Sequence, residues 1–329
     1  MNFNKFIVKV KIKLWSKLVR YTRHKRFYPF IYRSYWHYLL HNNQQNPQSR
    51  CYFTARPNPG AGIGHQIANW IAGYWFAQQF NLKFAHIAFS SNKWEQFLGF
   101  GQGEKTVQEL KARGYRIRRI PLFSEDNSIE VERTNKIIKS YRGRKVIFLC
   151  EQDQFYRNQY GVMKEIQQKF YSAPKRKNEH LAYNSEHFNI AIHVRRGDIM
   201  AEPNNPNLQM RYMSNTYFKT VLEQVLNNFD SEKPRHIYFF TQGKPEDFPE
   251  FKSFENLHWC LEMEPQESFL HMVYADVLIT SKSSFSYKPA LLNRNIKVCP
   301  QNFWHGYPGT KDWILADKDG KLLNNMKIS

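Results

Sequence analysis

Ile190-Ala191-Ile192-His193-Val194-Arg195-Arg196-Gly197-Asp198 runs from apolar, mostly β-branched residues straight into two arginines, a glycine and an aspartate. That pattern predicts a buried strand ending in a charged loop. Ligands of an open parallel sheet sit just beyond the carboxyl ends of its strands, so the guanidiniums of Arg195 and Arg196 would meet an anion there. A guanidinium stays charged near neutral pH, and its planar fork matches two phosphate oxygens. The other reading is an edge strand followed by ordinary solvated charges.

Outward from this stretch the second half of the chain alternates strand and helix patterns. Helices are predicted over Thr216–Phe229, Gln266–Tyr274 and Ser286–Asn293, and strands over His236–Thr241, Leu257–Leu261, Asp276–Thr280 and Ile296–Pro300. Strands separated by helices of this length favour right-handed crossovers and a parallel, Rossmann-type sheet. The strand at 276–280 runs into Ser281-Lys282-Ser283-Ser284-Phe285-Ser286 just before a helix. Hydroxyls there can cap the helix, or the helix amides can hold a phosphate. This turn and the Arg195 loop would share one sheet edge, which suits a pyrophosphate.

The first half alternates too. Strands are expected at Cys51–Ala55, Phe84–Phe89, Tyr115–Phe123 and Val146–Cys150, and helices at Ile67–Phe80, Thr106–Arg113, Val131–Tyr141 and Tyr160–Tyr171. Between the first strand and helix lies Gly60-Ala61-Gly62-Ile63-Gly64-His65-Gln66. Glycines before a helix let a ligand or another backbone approach closely, although a plain tight turn would also use them. The spacing is neither a P-loop nor a full dinucleotide fingerprint. At 329 residues two domains are the prior. The boundaries expected are a leader at 1–50, an α/β domain at 51–174 and a Rossmann-like domain at 175–329, with the polar stretch His41–Ser49 as the hinge after the leader.

The net charge of +20 points to an anionic partner. No Asp or Glu precedes Glu95, and lysines and arginines alternate with Val10, Leu14, Trp15, Leu18 and Val19 in the leader. Basic and aromatic residues in that pattern suit a segment lying on an anionic membrane surface. No apolar run approaches the ~20 residues that span a bilayer. The expectation is therefore a cytoplasmic protein resting on the inner membrane through residues 1–40, the alternative being a basic helix packed on its own protein. Cys51, Cys150, Cys260 and Cys299 are widely spaced, which predicts buried thiols rather than a disulfide framework or zinc site.

His193-x-Arg195-Arg196-x-Asp198, followed by Ser283-Ser284-Phe285-Ser286 and preceded by Gly62-Ile63-Gly64-His65-Gln66, resembles the α1,2- and α1,6-fucosyltransferase superfamily, most closely the bacterial α1,2-fucosyltransferases. The likeness covers about Phe53 to Val298. It implies a GT-B type α/β fold, two Rossmann-like domains facing a cleft. It also implies an inverting, metal-independent transfer from GDP-fucose to a hydroxyl, expected to be O2 of galactose, of an oligosaccharide or lipid-linked precursor of lipopolysaccharide or capsule. By the resemblance, Arg195 grips the donor β-phosphate, Arg196 and Asp198 shape the loop, and His193 lies near guanine. Ser283, Ser284 and Phe285 belong to the donor side, and Gly62, Gly64, His65 and Gln66 to the acceptor side. Three positions depart from the family pattern: His65 stands for Asn, Ser268 for an acid facing guanine, and Tyr287-Lys288 for Trp-Trp.

The chemistry fits independently. Charge builds on a leaving diphosphate, so something positive must be fixed beside it. Arg195 is the expected source. Asp317-Lys318-Asp319-Gly320, the one Asp-x-Asp, is expected in a hairpin turn far from any strand-to-loop site. Glu202 and His65 are the candidate general bases. A transferase for another nucleotide sugar and a non-enzymatic nucleic-acid-binding protein are the competing readings, the latter motivated by charge and aromatic content alone.

Overall fold

The computed structural model describes residues 3–41, 50–58, 60–151, 154, 156–229 and 231–323. Apart from His41, the expected hinge lies outside them. Eleven strands are present among the described residues: β1 Tyr52–Thr54, β2 Lys83–His86, β3 Lys105–Thr106, β4 Arg116–Arg119, β5 Val146–Leu149, β6 Phe188–His193, β7 Arg235–Thr241, β8 Leu257–Leu261, β9 Val277–Ile279, β10 Ile296–Pro300 and β11 Trp313–Ala316. The helices are α1 Phe3–Thr22, α2 Arg33–Leu40, α3 Ile63–Gln79, α4 Asn92–Leu98, α5 Val107–Ala112, α6 Ser128–Ser140, α7 Met163–Ser172, α8 Asp198–Ala201, α9 Pro206–Gln209, α10 Asn215–Asn228, α11 Pro265–Tyr274 and α12 Ser284–Leu292.

The strands form two wholly parallel sheets, so the chain is α/β, as the alternation predicted. The second sheet has the order β11-β10-β9-β6-β7-β8. Numbered from β6, this is 6-5-4-1-2-3, the doubly wound Rossmann order. Register puts Ile190 beside both Ile237 and Val277. β6 is therefore central, which explains its unbroken burial from Asn189 to His193. Its Ile190 and Ile192 pack with Phe218, Val221, Phe239 and Ile279 in the core of this unit. The first sheet, β3-β2-β1-β5-β4, reverses its strand order between β1 and β5.

Two compact units contain these sheets. One comprises 1–58, 69–88 and 103–156, the other 59–68, 89–102 and 157–329. The sequence reading put the change at 174/175, after α7. In the structure α7 is tied to the second unit: Gln167 Nε2 donates to the Leu291 carbonyl at 2.9 Å and Tyr171 Oη to that of Leu292 at 3.0 Å. The glycine-rich turn belongs there too, and so does α4, whose Phe97 stacks edge-on against Phe269.

The leader is helical and packs within the first unit. Val19 is buried with Tyr28 and Tyr32, Trp15 Nε1 donates to Glu151 Oε1 at 2.9 Å, and Arg23 makes a two-pronged pair with Glu130. Helix α3 starts at Ile63, earlier than the expected Ile67, because the glycine-rich turn is itself the first helical turn. Helix α5 carries a Thr106–Glu109 capping box, which fixes its start. The four cysteines are free and buried. Asp317 Oδ1 accepts from the amides of Asp319 and Lys321 at 2.9 Å, so that carboxylate closes a turn, but the turn directly follows β11 of the second sheet and is not far from any strand end as expected.

Candidate active site

In a doubly wound sheet the ligand crevice opens where strand order reverses, at the carboxyl ends of the two strands that flank the reversal. Here these are β6 and β9. The loops that follow them are the two that the sequence singled out, Val194–Asp198 and Thr280–Ser284.

These loops are laced together. His193 Nδ1 and Ser281 Oγ are 2.9 Å apart, and Arg195 Nη1 donates to Ser283 Oγ at 3.4 Å. Arg195 Nη2 pairs with Asp198 at 2.6 Å, an acid half exposed at the start of α8. Ser283 is also the N-cap of α12, accepting from the Phe285 amide, so capping and the arginine contact coexist. Ser286, fully buried, receives the Ser281 amide and closes the turn from inside.

Glycine is required at two points. Gly197 has φ +55°, and a Cβ there would overlap the Gln242 side chain. A Cβ on Gly64 would lie 2.7 Å from the Ser284 backbone, whereas one on Gly62 would meet nothing within 4 Å. Gly64 therefore lets the first turn of α3 press against the first turn of α12, so the positive ends of two helices meet beside Arg195.

The two arginines of the motif differ. Arg196 is buried, donates to Asn215 Oδ1 at 2.5 Å and to the Arg195 carbonyl, and lies over the rings of Tyr212 and Phe248. Burial lowers its pKa, opposed by Tyr212 and Glu250. It shapes the loop. Arg195 is partly exposed, but its Nε is a buried donor without a partner among the described residues. His193 is buried, and its pKa falls to about 3 through burial and then the Arg195 charge, so it is neutral.

A third arginine was not found from sequence. Arg211 lies over Trp304, 5.0 Å from the ring centroid, and its buried Nε is likewise unpartnered among the described residues. Burial and then the positive charge of Arg195 lower its pKa, while Asp198 opposes them. Two guanidinium charges that act on each other, with Arg195 partly exposed, suit an incoming anion. No strand or glycine pattern marks the stretch that carries Arg211, so the sequence offered no signal.

The remaining predicted residues are placed as follows. Ser284 and Phe285 are half-buried in the first turn of α12, the Phe285 ring 5.6 Å from that of His193. His65 is exposed in the first turn of α3. Gln66 is buried, bonded to the Ala61 carbonyl and to Ser90 at both ends of its amide, so it holds two loops together. Glu202 is exposed and accepts from Asn205. Of the departures, Ser268 Oγ turns to the Met263 carbonyl at 3.4 Å, Tyr287 Oη donates to the Gly306 carbonyl at 2.6 Å, and buried Lys288 meets Gln159. Tyr287 thus braces the segment that carries Trp304, and Lys288 ties α12 to the turn before α7. A cavity of about 350 Å³ in the first unit, reached by Tyr52, Tyr74, Lys83 and Lys105, lies at the amino ends of its strands, the edge that open parallel sheets do not use.

No protein-family model matches the chain, and no curated protein matches it. Among solved structures it is similar to the fucosyltransferase NodZ from Bradyrhizobium, at 12% identity over 74% of this chain and 94% of that one, with a TM-score of 0.40. POFUT1 in complex with GDP gives 12%, 78%, 99% and 0.42. The E. coli heptosyltransferase WaaC with ADP gives 11%, 84%, 96% and 0.44. Likenesses this distant assign the chain neither a family nor an activity.

Proposed function

We propose that this chain is an inverting glycosyltransferase that takes fucose from GDP-fucose and needs no divalent metal. The observation that carries the reading is that Arg195, bonded to the cap of α12 and acting by its charge on Arg211, stands where the second sheet reverses and where the first turns of α3 and α12 touch. The acceptor oxygen attacks the anomeric carbon from the face opposite GDP, the bond to the β-phosphate oxygen breaks, and negative charge gathers on the diphosphate. Arg195 and Arg211, fixed before the reaction, stabilise that charge where it develops. His65, exposed in the first turn of α3, is the first candidate to receive the hydroxyl proton. Glu202, exposed and engaged with Asn205, is the second candidate. The guanine base and the fucose rest on the sequence resemblance, as do the acceptor, a bacterial surface-glycan precursor, and its galactose O2. The first unit would serve the acceptor side.

A second reading keeps the transferase and changes the donor. It is favoured by Ser268, which supplies no acid for guanine and turns into its own helix start. The test is transfer from GDP-fucose to galactosides in excess EDTA, with UDP- and ADP-sugars in parallel. His65→Ala should lower kcat by about a hundredfold or more while GDP affinity holds, and Glu202→Ala should change it little. Turnover of a UDP- or ADP-sugar in place of GDP-fucose would establish the second reading. If no nucleotide sugar is consumed, both readings fail.

A further inference from the structure

Helix α1 has two apolar faces, and its own unit uses one. Trp15, Val19 and Thr22 point inward, with Trp15 bonded to Glu151 and Arg23 bonded to Glu130. Val10, Leu14, Leu18 and Tyr21 point outward and are 39%, 62%, 41% and 73% exposed. At 100° per residue these four fall within an arc of about 80°. Exposed Lys11 lies along one margin of that stripe, and exposed Lys13, Lys17 and Arg20 along the other.

We propose that this outer stripe is a docking surface for an anionic lipid bilayer, on which α1 lies flat. Buried area and charge act together in such a helix: leucines enter the acyl boundary while the lysine stems reach back to the headgroups. Charge decides the occupant. No acid precedes Glu95, and among the described residues Glu151, bonded by Trp15, and Glu130, bonded by Arg23 just beyond α1, are both on the inner side. A second copy of this stripe would set lysines against lysines. A nucleic acid would leave the leucines bare. No described helix is long and apolar enough to cross a membrane, so the contact is peripheral. The proposal is independent of the proposed transfer reaction.

The full chain should be sedimented with sucrose-loaded vesicles of phosphatidylcholine alone and of phosphatidylcholine with about 30 mol% phosphatidylglycerol. Binding to the anionic vesicles should be at least tenfold stronger and should weaken as salt rises. The Leu14→Glu/Leu18→Glu double variant should lose it at unchanged melting temperature. Lys13→Glu/Lys17→Glu should lose the preference for anionic lipid, and Trp15→Phe, an inner-face change, should keep it. Unchanged vesicle binding by the leucine variant would overturn the proposal. So would a wild type that ignores vesicles and instead dimerises through Leu14 or binds duplex oligonucleotide.

Discussion

The carboxyl-end edges of the two sheets present arginines in opposite ways. Beside the β1–β5 reversal, Arg119 at the end of β4 pairs at 3.0 Å with Glu151, a carboxylate only 6% exposed, whose other oxygen accepts from Trp15 and whose charge also acts on Arg56, the partly buried arginine that follows β1. At the β6–β9 reversal, Arg195 has only half-exposed Asp198 as its acid, Arg211 lies nearby, and both guanidiniums keep an unpartnered buried Nε among the described residues. One edge is closed by the chain's own leader. The other has donors to give. The difference teaches that an arginine is left available to a ligand where its acid is half exposed, and is committed to the fold where its acid is buried.

The sharpest way to break this contrast is to remove the central group of each edge. Glu151→Ala strands Arg119 and the Trp15 N–H together, and should cost about 2–3 kcal/mol of stability, read by urea unfolding, with GDP affinity unchanged. Arg195→Ala should do the reverse. It should weaken GDP by about 2 kcal/mol, some thirtyfold, with no loss of stability. If both variants mainly unfold the protein, the two edges are alike and the contrast is lost.

Acid separates the edges by sign. The folded His193 titrates near 3, against 6.5 ordinarily, so below pH 6.5 the unfolded chain binds a proton that the folded one refuses. Stability therefore falls with pH through that window, by about 2 kcal/mol from pH 6.5 to 5 for this group, and His193→Asn should remove that slope. Glu151 is raised by burial, against the pull of Arg119, Trp15 and Tyr32. Its share of stability is full below its ordinary value and is lost as pH rises through the folded one. Glu151→Gln should flatten that loss, and a shared sign in the two variants would refute the assignment.

Smaller changes refine the picture. Gly64→Ala should cost about 1–3 kcal/mol by forcing α3 off the Ser284 backbone, while Gly62→Ala should stay within about 0.5 kcal/mol. Thermal unfolding of the pair measures the difference, and equal losses would mean that the close approach of the two helix ends is not needed.

Much of the second edge was legible because its residues are local. The β-branched run of β6, the arginines that follow it and the serine turn after β9 each sit within one stretch, and alternation placed both strands in one sheet. Arg211 was not legible, since its position depends on how the turns after α9 bring it over Trp304. Nor was the contact between Gly64 and Ser284, which are remote in sequence. The boundary at 174/175 looked natural because proline and lysines punctuate it, but α7 is fastened to α12 by side chains that no periodicity reveals. The leader's composition suggested either a membrane or its own protein. The structure gives one face to the protein and leaves the other bare.

The most direct measurement is calorimetric titration of GDP, with UDP and ADP as comparators, in excess EDTA, on the wild type, Arg195→Ala and Arg211→Ala. The expected result is metal-free binding that prefers GDP, weakens about thirtyfold in Arg195→Ala and weakens in Arg211→Ala, while all three proteins melt alike. Binding that needs a metal ion, or that Arg195→Ala leaves as tight as in the wild type, would contradict it.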